Sequence, residues 1–436
     1  MKKENRFYDV FPRIVPAHQE TRITVHPRFD PFRFQAGKTY QVSLIPVEGQ
    51  AGEVQWSEIL MRSISPQDGD LHVACHFAAE QEYLLTVRTE NEEPVAEFHL
   101  YALEQDLFSR KPYKGDTHMH TYYSDGKESP AYLAASCRKI GMDFIAITDH
   151  RQYSPSLEAR HVFEGTPSDL RIFPGEEVHP PDNRVHIVNF GGSFSVNELF
   201  TRDAYRTEVG TLAERLVYLP AGVDRYPFAS CLWCFEKIRQ AGGLGIFCHP
   251  YWVSQQRYDV PITLTNLLFE HQPFDALELI GGYQLIGGYH LHEAEANIVQ
   301  VARYQEERAH GKRIPIVGAS DSHGCETGQL FGWYYSIVFS PSLDLPDLVA
   351  SIKDCFSVAV EALPNELVRA FGPFRLVRFA QFLLREVFPT HDELCLEEGR
   401  LMLDHAAGDT QAAQCLQPLQ GRTAKLNEHL WALAPK

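Results

Sequence analysis

Histidines and carboxylates recur in this chain at or near the ends of short apolar runs. GDTHMHT supplies His118 and His120, YYSDG supplies Asp125, and DFIAITDH closes on Asp149 and His150. LRIFPGEEV carries Glu176 and Glu177, VHIVNFGG carries His186, and LGIFCHP leads to His249. ALELIGG holds Glu278, and IPIVGASDSH closes on Asp321 and His323. Side chains at i and i+2 of a strand share a face, so His118 and His120 can reach one cluster, whereas adjacent Glu176 and Glu177 cannot point the same way. Imidazole and carboxylate donors without thiolates suit zinc, manganese or iron. So many donors exceed what one ion can use, and they fit two or three divalent ions bridged by carboxylate and hydroxide. Taken singly, each signal is weak. An HxH pair is often exposed, a His before Pro is often a turn residue, TDH can cap a helix and SDG is a turn triplet. Coincidence across seven runs is what favours a shared site.

Three textures must position these groups. Residues 1–110 alternate strand-like runs such as RITVHPRF, TYQVSLIPVE and YLLTVRTE with Pro, Gly, Asp and Asn, which predicts a small antiparallel β-sandwich. Residues 113–362 alternate apolar runs with amphipathic stretches, which predicts parallel strands with helical crossovers. That span of about 250 residues is the usual scale of a (β/α) barrel, whose strand ends converge on one mouth. Residues 363–436 read as a helical extension. Residues 193–243 are longer than a simple crossover and are expected to form a lid over the mouth. Cys231 and Cys234 lie at helical spacing in FASCLWCFEKIRQAGG, and two buried thiols are expected there rather than a metal or redox pair.

The chain has 436 residues, 40 Lys and Arg against 57 Asp and Glu, and a net charge of −17. This acidic balance argues against coating nucleic acid or an anionic membrane. The N-terminus has no apolar signal-like core, and no run is long enough to span a bilayer. Nine scattered Cys read as reduced thiols of a cytoplasmic protein. The N-terminal His18, His26, His72, His76 and His99 have no motif spacing and read as ordinary surface or core residues.

The succession HxH, SDG, TDH, GxE, a following His, HP and SDxH resembles the PHP (polymerase and histidinol phosphatase) family over residues 113–362, outside the N-terminal strands and the tail. The resemblance implies a distorted (β/α)7 TIM-like barrel, a centre of up to three metals and mainly phosphoester hydrolysis. It implies the ligands His118, His120, Asp125, His150, Glu177, His186, His249, Asp321 and His323, choosing Glu177 over Glu176. Asp116 and Asp149 would then orient the imidazoles. Two departures stand out. His186 lies near the start of its run, and IGGY follows Glu278 where relatives often have a polar group.

The expected reaction is attack on phosphorus by a hydroxide bridging two to three zinc, manganese or iron ions. Asp321, His323 and His249 are the catalytic candidates, the first two through proton transfer to the leaving group. The ions would leave a positive mouth in an acidic protein, suited to a small phosphorylated substrate, either a phosphomonoester or a nucleotide-type diester. Arg151 and Arg257 are candidates for a phosphate clamp, because a guanidinium matches phosphate geometry. One rival is an amidohydrolase-like enzyme cleaving a C–N or ester bond, but no Lys ends a middle run to bridge its metals. Another is a degenerate barrel serving as a binding module, against which the full donor set argues. A homo-oligomer through the N-terminal domain or the tail is a further expectation.

Overall fold

In a computed structural model of the chain, residues 6–49, 59–220, 222–254, 257–281, 291–325 and 330–432 are described. The chain divides into two units. One comprises Met1–Lys111, Arg378–His391 and Gly421–Lys436, and the other Pro112–Val377 and Asp392–Gln420. The expected separate extension over 363–436 is therefore divided, because its helices bury their faces in different places. Phe379 and Phe382 flank Tyr101 at ring distances of 5.0 and 5.3 Å in the first unit. Glu398 pairs with buried Arg138 at 2.8 Å in the second.

The first unit holds two sheets. Tyr8–Phe11, Gln19–Pro27 and Leu71–Phe77 form one, in that order. Ile14–Pro16, Pro94–Leu103, Gln81–Thr89, Tyr40–Pro46 and Leu60–Ile64 form the other. Alternating burial turns one face of each strand inward, and Val10, Val25 and Val73 of the first sheet share a cluster with Val42, Leu85 and Phe98 of the second. Ile14–Pro16 runs parallel to Tyr101–Leu103, an exception to the antiparallel pairing around it.

The second unit is mixed α/β, with strands curled into a half-barrel. One sheet orders Arg171–Phe173, Phe144–Ala146, Lys111–Asp116, Tyr334–Ser340, Ser357–Glu361 and Arg369–Phe371. The other orders Gly175–Val178, Ile187–Phe190, Leu244–Phe247, Ala276–Ile280 and Ile316–Gly318. Among the described residues these strands do not close a ring of seven parallel strands. Gly175–Val178 pairs antiparallel with Ile187–Phe190, which pairs antiparallel with Leu244–Phe247. The link between the first two has no room for the long crossover that parallel neighbours need. A helix also separates some antiparallel neighbours, Ile187–Phe190 from Leu244–Phe247 and Tyr334–Ser340 from Ser357–Glu361, whereas other helix-linked neighbours run parallel. Pro130–Lys139, started by Pro130 and by Ser129 accepting from Tyr132 N at 3.3 Å, separates Lys111–Asp116 from Phe144–Ala146.

Most of residues 193–243 pack against the sheet rather than standing over the mouth, although Asn197 and Phe200 wall the cleft beside the cluster. Their helices Asp203–Arg215 and Arg225–Gln240 bury Tyr205, Val209, Phe228, Trp233 and Ile238 in the unit's main apolar cluster. Amphipathic helices of this length gain more by covering a sheet than by standing over a polar mouth. Cys231 and Cys234 are buried free thiols on the second helix. No helix among the described residues is long and apolar enough to cross a membrane.

Candidate metal centre

The strand Lys111–Asp116 runs directly into the HxH segment. Met119 bridges Ser322 in parallel, His120 N donates to Ser322 O at 2.9 Å, and Asp321 N donates to His118 O at 2.8 Å. The two chemistry-bearing segments are thus zipped together. Strand alternation sends buried Met119 away from the two imidazoles, whose rings lie 5.2 Å apart.

Glu177 is the hub, fully buried at the end of Gly175–Val178. Oε1 lies 3.6 Å from His118 Nε2, 2.8 Å from His186 Nδ1 and 3.5 Å from His249 Nε2. Oε2 lies 3.8 Å from His120 Nε2, 3.2 Å from His179 Nε2 and in close contact with His150 Nδ1. Glu176 faces the opposite way, as alternation requires. It accepts from Ser195 Oγ at 2.6 Å, Val196 N at 2.5 Å and Asn197 Nδ2 at 2.9 Å, pinning the chain that leaves the site.

Asp321 Oδ1 sits 2.8 Å from His120 Nε2 and 3.4 Å from His118 Nε2. Asp125 reaches His150 Nε2 at 3.4 Å and His323 Nε2 at 3.2 Å. The structure thus brings all nine ligands implied by the resemblance into one connected cluster. Arg151, His249 and Asp321 have left-handed φ angles of 60, 25 and 50°. Such angles cost about 1–3 kcal/mol each and persist only where neighbours enforce them. Here Arg151 N donates to Glu177 O at 3.0 Å, and the Asp321 N bond to His118 O does the same work.

Neither Asp116 nor Asp149 hydrogen-bonds an imidazole directly among the described residues, but Ser124 Oγ, which donates to Asp149 Oδ1 at 2.6 Å, lies 3.4 Å from His120 Nδ1. Asp116 accepts from the backbone N–H groups of His118 at 3.2 Å and Ser320 at 3.1 Å, and burial pushes its carboxyl up to about 7. Asp149 accepts from Thr121 N and Oγ1, both at 2.8 Å, and from Ser124 Oγ at 2.6 Å, fixing the turn that presents Asp125. Asp116 accepts from backbone N–H groups, and Asp149 from backbone N–H groups and hydroxyls. The group that does hold an imidazole is Glu278, whose Oε2 lies 2.8 Å from His118 Nδ1.

His179, two residues beyond Glu177, went unrecognised in the sequence. It stands outside the motifs that point to the implied ligands, although the i, i+2 relation that joins His118 to His120 also joins it to Glu177. His179 also lines a cleft of about 890 Å³ beside the cluster, with Arg151, Arg184, Asn183, Asn197 and Phe200. Arg151 thus reaches the cleft. Arg257 does not, because its short strand pairs back on Val253–Ser254 and leaves it exposed. Of the IGGY run, Gly282 and Tyr283 lie outside the described residues.

The electrostatics suit cations. Burial would raise the Glu177 carboxyl, but His186, His118 and His150 hold it well below its ordinary value. Burial also opposes charge on His150, yet Glu177 and Asp125 push it up to about 10. On His179 burial wins, pushing it down to about 4 against the pull of Glu177. Both Glu177 oxygens, His118 Nε2 and His186 Nδ1 are buried without a hydrogen-bond partner. Buried polar atoms are nearly always satisfied, so orphans aimed at one another mark a place for a ligand. Donor triads such as His118–His120–Glu177 and His118–His249–Asp321, and the tetrad His120–Asp125–His150–His323, are close enough to share an ion. The donors therefore fit divalent metals, which would take over the charge-balancing role of the imidazole protons.

No family model matches the chain. A stretch of 125 residues is 30% identical to the DNA polymerase/3'-5' exonuclease PolX of Bacillus subtilis (strain 168), covering 28% of this chain and 21% of that protein, so only a small part of that relative is spanned. Among solved structures, a two-domain protein from Bacteroides vulgatus ATCC 8482 containing a predicted PHP-like metal-dependent phosphoesterase is similar at TM-score 0.42 and 18% identity, over 62% of this chain and 69% of that one. A protein from Bifidobacterium adolescentis ATCC 15703, described provisionally as a metal-dependent phosphoesterase, gives TM-score 0.32 and 19% identity over 49% and 89% of the two chains. An amidohydrolase from Chromobacterium violaceum gives 0.29 and 18% over 50% and 89%. The chain resembles the PHP family of metal-dependent phosphoesterases.

Proposed function

We propose that this chain is a metal-dependent hydrolase of phosphoesters, acting on a small phosphorylated substrate with two to three zinc, manganese or iron ions. The observation that carries the reading is Glu177, a buried carboxylate with both oxygens lacking hydrogen bonds and ringed by imidazole nitrogens. When bound, such ions supply Lewis-acid charge for a phosphoryl group and lower the pKa of water.

The chain's own residues do the rest. His118, His120, Asp125, His150, Glu177, His186, His249, Asp321 and His323 hold the ions. Glu278 fixes the ring of His118 through Nδ1, leaving Nε2 free to face Glu177 and Asp321. Asp149 sets the position of Asp125 through the intervening turn. At the edge of the cleft, Arg151 is exposed and its guanidinium makes no ion pair among the described residues, so it is available to grip a phosphate. In this reading Asp321 or His323 would relay a proton to the leaving group.

The test is a hydrolysis screen of the purified chain, with and without manganese or zinc, over phosphomonoesters, phosphodiesters, carboxylic esters and amides. Metal-dependent release of phosphate supports the reading. No turnover of any phosphoester at full metal occupancy overturns it, and turnover of amides or esters alone transfers the centre to C–N or ester hydrolysis.

A further inference from the structure

The two oxygens of Glu177 divide the surrounding imidazoles evenly. Oε1 faces His118, His186 and His249, and Oε2 faces His120, His150 and His179. Five of these six are ligands in the reading above, and His179 stands in the same relation to Oε2 as His186 does to Oε1. Their rings stack at 3.9 Å with planes 25° apart, so the two imidazoles approach opposite oxygens of one carboxylate side by side.

His179 Nε2 also lies 2.9 Å from His150 Nδ1. Two nitrogens and Oε2 of Glu177 thus converge pairwise within 3.2 Å or less. A hydrogen bond between the two rings occupies one of those nitrogens as donor. It does not satisfy Oε2, which has no hydrogen-bond partner. A divalent cation accepts all three donors at once. The backbone delivers His179 to this position because Glu177 and His179 are two residues apart at a strand end, and His179 N is held by Asn197 Oδ1 at 3.1 Å.

We propose that His179 is a further metal ligand, binding through Nε2 on the Oε2 side of Glu177 with His150. This rests on reading the cluster as a metal centre. His179 also lines the cleft beside the cluster.

The test needs no substrate. Full-length parent, His179→Ala and His179→Gln chains are stripped of metal, titrated with Co2+ alone, and followed by calorimetry, elemental analysis and visible absorption. Far-ultraviolet circular dichroism of the metal-free chains checks folding, and the Gln variant keeps the side chain's bulk if Ala fails to fold. The expected result is a loss of at least about 10-fold in affinity for one ion, the scale seen even for groups that only orient ligands, together with altered Co2+ absorption bands. Unchanged stoichiometry, affinity and spectrum overturn the proposal. So does weakened binding with an unchanged Co2+ spectrum, which would make His179 a positioning residue for His150. A parent chain that takes up no Co2+ overturns this inference and the metal-centre reading together, whereas a parent that binds Co2+ like its variants overturns this inference alone.

Discussion

Glu278 Oε2 and His118 Nδ1 lie 2.8 Å apart, and both side chains are almost completely buried. This pair settles which ring nitrogen faces the cluster, because Nδ1 is committed to the carboxylate and Nε2 is left pointing at Glu177 and Asp321. A carboxylate behind a ligand imidazole fixes its tautomer and raises its basicity.

Glu278→Gln should therefore weaken metal binding or activity by about 10- to 100-fold, the usual effect of losing such a group. The Gln side chain keeps the volume but can hold the wrong tautomer of His118. Metal titration of the stripped variant, alongside kcat/KM at saturating metal, checks this. If excess metal restores kcat while affinity stays low, the role is positioning, as argued.

The turn carrying Asp125 depends on Asp149. Its carboxylate accepts from Thr121 N and Oγ1 and from Ser124 N and Oγ, at 2.6–3.2 Å, while fully buried. Asp149→Ala should cost roughly 3 kcal/mol, since hydrogen bonds to a buried charge are worth about 1.5–3 kcal/mol each and are not additive. It should also displace Asp125 from His150 and His323. Urea unfolding reads the first effect. Elemental analysis reads the second, as a loss of about one bound ion with the Glu177 side retained.

The site was legible in the sequence where strand geometry and residue type act together. His118 and His120 share a face by alternation, and Glu176 and Glu177 part company by the same rule. That rule also joins Glu177 to His179, which lies outside the family's motifs. The jobs of Asp116 and Asp149 were not legible, because their partners are backbone N–H groups, and for Asp149 also the hydroxyls of Thr121 and Ser124, which no motif spacing marks. Strand direction was hidden for a similar reason. VHIVNF and LGIF have the continuous apolar character of buried strands whichever way they run. The short link after Val178, too brief for a helical crossover, marks one antiparallel step, whereas the step to Leu244–Phe247 follows two helices and carries no such mark. The 193–243 stretch looked like a lid by length alone, whereas the buried faces of its helices decide otherwise.

A buried ion network outside the centre offers a stability test. Arg138 is fully buried and donates to Glu398 Oε2 through Nε at 2.9 Å and Nη2 at 2.8 Å, and to Asp143 Oδ1 at 3.1 Å. It anchors the helix that follows the Asp125 turn to a distant part of the chain within the same unit. Arg138→Met should cost about 3–5 kcal/mol, because Glu398 and Asp143 both lose their buried cation. Adding Glu398→Leu should recover part of that loss, since Asp143 still lacks Arg138. Chemical unfolding of the single and double variants measures both steps, and an equally unstable double variant would mean that packing, not charge, governs the site.

Glu177 unites the centre, so its removal and the removal of metal should converge. Chelation of the parent should lower its thermal midpoint, because an ion that binds only the folded state at 100 times its Kd adds about 2.7 kcal/mol. For a unit of this size each kcal/mol moves the midpoint by about 2–4 °C, giving a drop on the order of 5–10 °C. Glu177→Gln keeps the side chain's size but removes the charge that His118, His150 and His186 surround. It should behave like the chelated parent, with little change on further chelation, metal occupancy reduced by more than one ion and hydrolysis at least about 100-fold slower, since it strips a shared ligand where losing a mere orienting group already costs 10- to 100-fold. Differential scanning fluorimetry with and without chelator, on parent and variant, gives the four midpoints needed. If the variant still gains as much from metal as the parent does, Glu177 is not the shared ligand.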